Sequence, residues 1–377
     1  MNRLIKNAVI LDCFNGRKTP ADILVKGGVI SGIGKNLPVE TGTEIIDIEE
    51  AFVSVGWVEA HTHVDWILPG PALIPEETYP RDGITYVLDA GTMGPMNYAS
   101  VHRKLASLTI PGKSYLHVAR FGTVMSGREL LDPSFLDMDA FRRTLEEYRD
   151  EIIGVKIRID PRVDSDILGT LAKAKELAEE TGLPLIVHPT RCPEPLEKIL
   201  PFLEKNDVYA HTYSGIEPCI LDENGRVKEC VRKARERGVW FDLSHGSNNF
   251  TFEVARKALE QDFAVDTIST DLHSANVYAP VRSMSDTMSK MMYLGMSLET
   301  IINKVTEQPV RMLGIKDKEL GIKVGRKADL TAFRVISGDF ALSDSAKQLI
   351  HAENRIEVVL TMYGENLYEP RHAIFMN

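Results

Sequence analysis

Residues 168–188 read LGTLAKAKELAEETGLPLIVH. Leu168, Leu171, Ala174 and Ala178 recur at the spacing of one helix face, and Gly182 stands where a helix C-cap belongs. Pro184 then opens the short apolar run Leu185-Ile186-Val187, which stops at His188. An amphipathic helix followed at once by a short apolar strand is the unit of a parallel sheet covered on both faces. The pattern recurs. A second unit ends its helix near Gly238 and continues as Val239-Trp240-Phe241-Asp242-Leu243, and a third run, Val265 to Thr270, stops at Asp271. Such units extend from about Val53 to Gly314, enough for an eight-stranded α/β barrel, a (β/α)8 TIM barrel, with a doubly wound open sheet as the alternative.

The two ends of the chain have a different texture. Leu4–Leu11, Asp22–Lys26 and Val29–Ile33 read as short strands, with Gly27-Gly28 as a two-residue hairpin turn. Asp329–Val335 and Ile356–Tyr363 repeat that style near the other end. These strands predict one small β-sandwich domain built from residues 1–54 and 326–377, flanking a barrel over 55–325.

Composition narrows the function. The 377 residues carry 44 Lys and Arg against 54 Asp and Glu, a formal charge of −10, which argues against general affinity for nucleic acid or an anionic membrane. No apolar run is long enough to span a bilayer. The opening MNRLIKNAVILDCFNG passes into strand-like alternation without a signal-peptide cleavage pattern, so the expected location is cytoplasmic. The four cysteines show no CxxC spacing and favour neither a disulfide framework nor a cysteine zinc site.

The chemistry is concentrated where strands end. Val53–Ala60 reads as a strand running into His61-Thr62-His63, and two histidines at i and i+2 point the same way. Lys156 lies inside the apolar strand Ile152–Ile159, a poor place for an unpaired ammonium. His188 and His211 end the runs Pro184–Val187 and Val208–Ala210, and Asp271 ends Val265–Thr270. Each has an ordinary reading by itself: a packed histidine, a strand-end salt bridge, a helix N-cap. Together they fall at the C-terminal ends of five strands, the face on which a barrel carries its active site. The successive gaps from His63 to Asp271 come to about three, one, one and two βα units, which assigns them to strands 1, 4, 5, 6 and 8.

This set resembles the amidohydrolase superfamily, in particular its binuclear members with a carboxylated lysine, such as dihydroorotase, hydantoinase and related deacetylases. The resemblance covers nearly the whole chain. It implies that His61 and His63 bind one metal ion and His188 and His211 a second. Lys156, as N6-carboxylysine, bridges them, and Asp271 is both a ligand and the general acid/base. It also implies two divalent cofactor ions per chain, Zn2+ before Mn2+ or others, that generate a bridging hydroxide and polarise the scissile carbonyl.

Two departures stand out. The usual Pro-Gly-x-x-Asp-x-His-x-His motif reads here Val55-Gly56-Trp57-Val58-Glu59-Ala60-His61-Thr62-His63, and the arginine that dihydroorotases carry two residues later is Asp65. The segments Gly154–Arg158, Ser244–Ser247 and Ile268–His273, with Asn276, Pro280-Val281 and Thr287–Lys290, look like the deacetylase branch. The function so implied is hydrolysis of an acyl amide or ester on a small carboxylate-bearing substrate. Tyr213, His273, His245 and Arg158 are the candidate substrate contacts, although Arg158 has a plain alternative in an ion pair with Asp160 or Asp164. A cyclic-amide hydrolase shares every metal ligand. A mononuclear nucleobase deaminase needs a catalytic Glu shortly after a ligand His, as Glu217 follows His211 by six residues, but it does without a bridging lysine, and Lys156 in its strand speaks against it. The partners expected are a small molecule and, by family analogy, further copies of the chain in a homo-oligomer.

Overall fold

The computed structural model describes residues 1–13, 17–64, 75–125 and 128–370. The chain opens with β1 (Asn2–Asp12), β2 (Arg17–Lys26), β3 (Val29–Gly34), β4 (Glu44–Asp47) and β5 (Phe52–Val55). Gly27 and Gly28 both have positive φ, +54° and +75°, as a tight turn joining β2 to β3 requires. Seven strands follow: β6 (Trp57–Thr62), β7 (Ile84–Asp89), β8 (Gly112–His117), β9 (Ile152–Ile159), β10 (Leu185–Pro189), β11 (Val208–Tyr209) and β12 (Trp240–Phe241). They form one parallel sheet in sequence order. The chain then returns as β13 (Asp329–Ser343), β14 (Leu349–Tyr363) and β15 (Asn366–Tyr368), which join β1–β5 in one eight-stranded sheet. Both ends of the chain therefore build a single sheet apart from the parallel one.

The strand expected over Val53–Ala60 is in fact two strands in different sheets. β5 pairs with β1 and β13, whereas β6 pairs with β7. The chain crosses between sheets at Gly56, where a Cβ would lie 2.0 Å from Thr85 Oγ1 and 2.2 Å from Asp329 Oδ1. Uninterrupted apolar sequence cannot register a change of partner, so the break was legible only through that glycine.

The parallel sheet curls. Residues 265–272 contain no regular strand, yet they hydrogen-bond to both of its edges. On the β12 side Asp266 N–H donates to Phe241 O (2.7 Å) and Leu243 N–H to Thr267 O (3.1 Å). On the β6 side Asp271 N–H donates to His61 O (2.6 Å) and His63 N–H to Leu272 O (3.2 Å). Inside the curl Val58, Ala60, Tyr86, Leu88, Tyr115 and Ile186 form a small enclosed core. The outer face packs on helices. In the helix Ile167–Thr181, Asp166 caps the first turn by accepting from Gly169 N–H, and Gly182 ends it at φ +67°. Ile167, Leu171, Ala174, Leu177 and Ala178 are its buried stripe. Met284, Met288 and Met291 are likewise buried core of the helix Met284–Tyr293. Among the described residues no helix is long and apolar enough to cross a membrane.

Candidate metal centre

The six expected groups meet at one end of the curled sheet. His61 lies in β6 and His63 follows it; Lys156 lies in β9 and His188 in β10; His211 is two residues past β11. Asp271 sits on the segment that joins the edges. Three side chains here are turned by unusual backbone: His211 (φ +61°), Ser244 (φ +41°) and Asp271 (φ +50°) are in the left-handed region. Non-glycine residues rarely adopt it, at roughly 1–3 kcal/mol each, and such strain collects at functional sites. His61, His211 and Asp271 offer ligand atoms that all lie within 4.8 Å of one another. His63 Nε2 is 3.2 Å from Asp271 Oδ1, Lys156 Nζ is 3.4 Å from His61 Nε2, and the His188 and His211 rings are 3.9 Å apart by centroid.

Hydrogen bonds fix which nitrogen of each ring carries its proton. Asp89 accepts from the backbone of Val64, Gly91 and Thr92, and also from Thr92 Oγ1 at 2.5 Å. Thr92 Oγ1 has thereby spent its only proton, so at 2.7 Å it accepts from His63 Nδ1–H. Ser244 Oγ likewise donates to buried Asp242, and at 3.0 Å it accepts from His61 Nδ1–H. His211 Nδ1–H donates to the carbonyl of Ser244 at 2.6 Å. All three rings therefore present an Nε2 lone pair to the centre, and that of His211 is buried without a hydrogen-bond partner among the described residues. His188 is different: Thr190 Oγ1 holds its Nε2 at 2.6 Å, which leaves Nδ1. Lone pairs converging on a carboxylate are what a cation needs, and the outer hydrogen bonds are those that orient metal-binding imidazoles.

Electrostatics agree. Burial holds His211 down to about 3, and burial followed by the Lys156 charge lowers His61, so both rings are neutral ligands at ordinary pH. Burial likewise drops Lys156 to about 8, which brings a neutral amine within reach. For Asp271 burial alone acts upward. The His63 contact and the neighbouring imidazoles outweigh it and hold the carboxyl well below the usual range. These residues fit a divalent metal. Replacing Ser244 by Ala is expected to release His61 Nδ1 and one bond to Asp242, weakening metal affinity about 10–100-fold. Competition with a chromophoric chelator measures this; unchanged affinity would remove Ser244 from the site.

The expected substrate contacts divide. His273 lies beside the centre, its ring 6.3 Å from His63, with Nδ1 accepting from Ala275 N–H and Nε2 meeting Ser247 Oγ at 3.3 Å. Arg158 donates to Glu129 (3.0 Å) and Asp160 (3.4 Å), and its Nε has no hydrogen-bond partner among the described residues. The alternative ion pair with Asp160 is thus present alongside any substrate role. Tyr213 is not at the site: its hydroxyl donates to Phe263 O (2.9 Å) and accepts from Val265 N–H (3.0 Å), pinning the far end of the joining segment. His245 is fully buried, with Nδ1 on Gly246 O (2.9 Å) and Nε2 on Lys290 Nζ (2.9 Å), so neither nitrogen is free for substrate. Glu217, the deaminase candidate, is exposed and caps a turn through Cys219 N–H. Asp65 lies outside the described residues.

Sequence reasoning missed four contributors. Buried Asp242 and Glu59 tie the joining segment to the histidines, and burial pushes Glu59 up to about 8. Ser244 sits between His61 and His211. His117 closes β8 as His188 lies near the end of β10, but its strand reads GKSYLH, with only Tyr115 and Leu116 apolar before the histidine, so the signal was weak.

A curled parallel sheet carries imidazole lone pairs and a carboxylate that converge at one end, a group able to hold a divalent metal. The chain belongs to the amidohydrolase family, whose model matches residues 52–363. A protein of Enterococcus faecalis named deacetylase is 30% identical over 97% of this chain and 98% of its own length. Deacetylase Atu3266 of Agrobacterium fabrum is 28% identical, covering 95% and 86%. Among solved structures, one titled an adenine deaminase matches with TM-score 0.87 at 30% identity, covering 97% of this chain and 99% of the other. One titled a dihydroorotase matches with TM-score 0.88 at 24% identity over 98% of both chains, a likeness of fold. The protein is accordingly a hydrolase acting on carbon–nitrogen bonds.

Proposed function

We propose that the protein is a two-metal deacylase that removes a small acyl group, acetyl above all, from the nitrogen or oxygen of a small carboxylate-bearing molecule. The convergence of His61, His211 and Asp271, with each imidazole proton fixed on the outer side, carries this reading. The near-full-length likeness to proteins named deacetylase supports the acyl substrate. We read the seven parallel strands and residues 265–272 as an eight-stranded (β/α)8 barrel over 55–325, with 1–54 and 326–377 as the composite β domain. A cytoplasmic location goes with this reading.

His61, His63 and Asp271 would hold one ion, His188 and His211 the other, and Lys156 as its carbamate would serve both. Bound divalent ions supply carbonyl polarisation and a water acidic enough to ionise near neutral pH. Asp271, ionised before the reaction, accepts the proton of the attacking water. It returns that proton to the leaving nitrogen or oxygen as the acyl bond breaks. The Nε of Arg158, without a partner among the described residues, and the ring of His273 would orient the substrate carboxylate.

The test is metal content by elemental analysis on protein prepared with bicarbonate and without chelator, followed by a screen of N-acetyl and O-acetyl carboxylates. About two ions per chain and release of acetate are expected. One ion per chain with ammonia released from adenine would replace the proposal by a deaminase, the reading favoured by the 30%-identical solved structure. Ring opening of dihydroorotate without deacylation would replace it by a cyclic-amide hydrolase.

A further inference from the structure

We propose that His117 is the positioning residue for the modified lysine: its Nε2–H donates to an oxygen of the carbamate on Lys156. This rests on the reading of Lys156 as carboxylated.

His117 ends β8 directly opposite Lys156 in the parallel register with β9. Paired positions on neighbouring strands project to the same side of a sheet. Here that side is the enclosed one, because Tyr115, two residues earlier, belongs to the core inside the curl. A single glycine covers both stems: a Cβ on Gly91 would lie 2.6 Å from Lys156 Cγ and 3.6 Å from His117 Cβ.

The proton on the His117 ring is fixed by geometry. Nδ1 accepts from Ala119 N–H at 2.9 Å, and a nitrogen that accepts carries no hydrogen, so the ring hydrogen is on Nε2. The residue is fully buried, and Nε2 has no hydrogen-bond partner among the described residues. A buried N–H without an acceptor is unfavourable and calls for an explanation. Lys156, Arg158 and His63 act on this ring after burial itself; the two cations offer no acceptor, and among the described residues His63 makes no hydrogen bond to Nε2. With an ammonium at Lys156, donor faces donor. Carboxylation reverses this. The neutral Nζ lone pair bonds to the carbon of CO2, one C=O π pair moves onto oxygen, and a proton leaves the nitrogen for solvent. The product is an anion with acceptor oxygens beside the orphaned donor. His117 thus favours the modified lysine over the unmodified one before any metal is considered.

The experiment is 13C NMR of the protein with 13C-bicarbonate, with and without Zn2+, comparing wild type with His117→Phe and His117→Gln. Phe keeps a ring but has no donor; Gln keeps an N–H. In the condition where wild type forms carbamate, the bicarbonate needed for half occupancy should rise at least about tenfold in His117→Phe, a shift of about 1.4 kcal/mol. His117→Gln should stay within about threefold of wild type. Equal occupancy in a folded His117→Phe overturns the proposal, as does intact occupancy with loss of kcat/KM, which would place His117 on the substrate instead. If His117→Phe does not fold, 15N-histidine-labelled wild type carries the test. An Nε2–H resonance that moves on adding bicarbonate and is absent in His117→Gln supports the proposal, and one that stays still overturns it. No carbamate in wild type under either condition overturns the reading of Lys156 itself, a separate result.

Discussion

Lys156→Met should lower turnover at least about a thousandfold, some 4 kcal/mol of transition-state stabilisation, and yet make the metal-free protein more stable. Lys156 is fully buried, its stem packed beneath Gly91 and its Nζ against His61. Met matches its length without the charge. Burial lowers the folded ammonium from 10.5 to about 8, so between those pH values the unfolded chain holds a proton that the folded chain has released. Wild-type stability therefore rises with pH across that window and is lowest, at a constant deficit, below it. At 1.36 kcal/mol per pH unit, the deficit is roughly 3 kcal/mol. Met never carries it. Urea unfolding of metal-free, bicarbonate-free protein should show the variant ahead near pH 7 and level with wild type near pH 10. An advantage that stays constant with pH would mean that buried charge is not its source. Opposite signs for stability and activity are what a functional lysine kept against folding preference predicts.

The features that sequence revealed and those it hid differ in kind. The helix over 167–181, the apolar strands before His188 and His211, and the outer strands all follow from local periodicity and capping, and the structure has them at or near those residues, whereas the run before Asp271 forms no regular strand and only hydrogen-bonds to both sheet edges. The six polar groups were found because each interrupts an apolar run, where an unpaired charge or imidazole needs a reason. Which way a side chain leaves a loop is another matter. Tyr213 and His245 stand as close in sequence to Asp271 or its partners as His273 does. Their polar atoms are nevertheless spent, on the adjacent Gly246 carbonyl and on Phe263, Val265 and Lys290, the last three being tertiary contacts up to 52 residues away. The crossing at Gly56 was hidden for a similar reason, since the partner of a strand lies elsewhere in the chain. His117 was hidden because its strand, GKSYLH, is not an apolar run that a histidine interrupts.

Asp271→Asn should reduce kcat by about 10²–10⁴-fold, the span of general acid/base catalysis, while the protein still takes up metal at saturating Zn2+. The two carboxylate oxygens are held differently. Oδ1 faces His63 Nε2 at 3.2 Å, and Oδ2 lies over Gly246, where a Cβ would come within 2.5 Å of it. Asn fits the same space and can keep a carbonyl oxygen toward the histidines, so one ligand atom survives. What it loses is the capacity to accept a proton. In the wild type the His63 contact and the neighbouring imidazoles outweigh burial and hold this carboxyl below its usual range, so it is ionised at neutral pH. The substitution should therefore depress kcat with KM changing little. Metal content near the wild-type value alongside lost turnover assigns Asp271 to proton transfer. Loss of metal in proportion to activity would leave it a ligand only, and wild-type kcat would remove it from the chemistry.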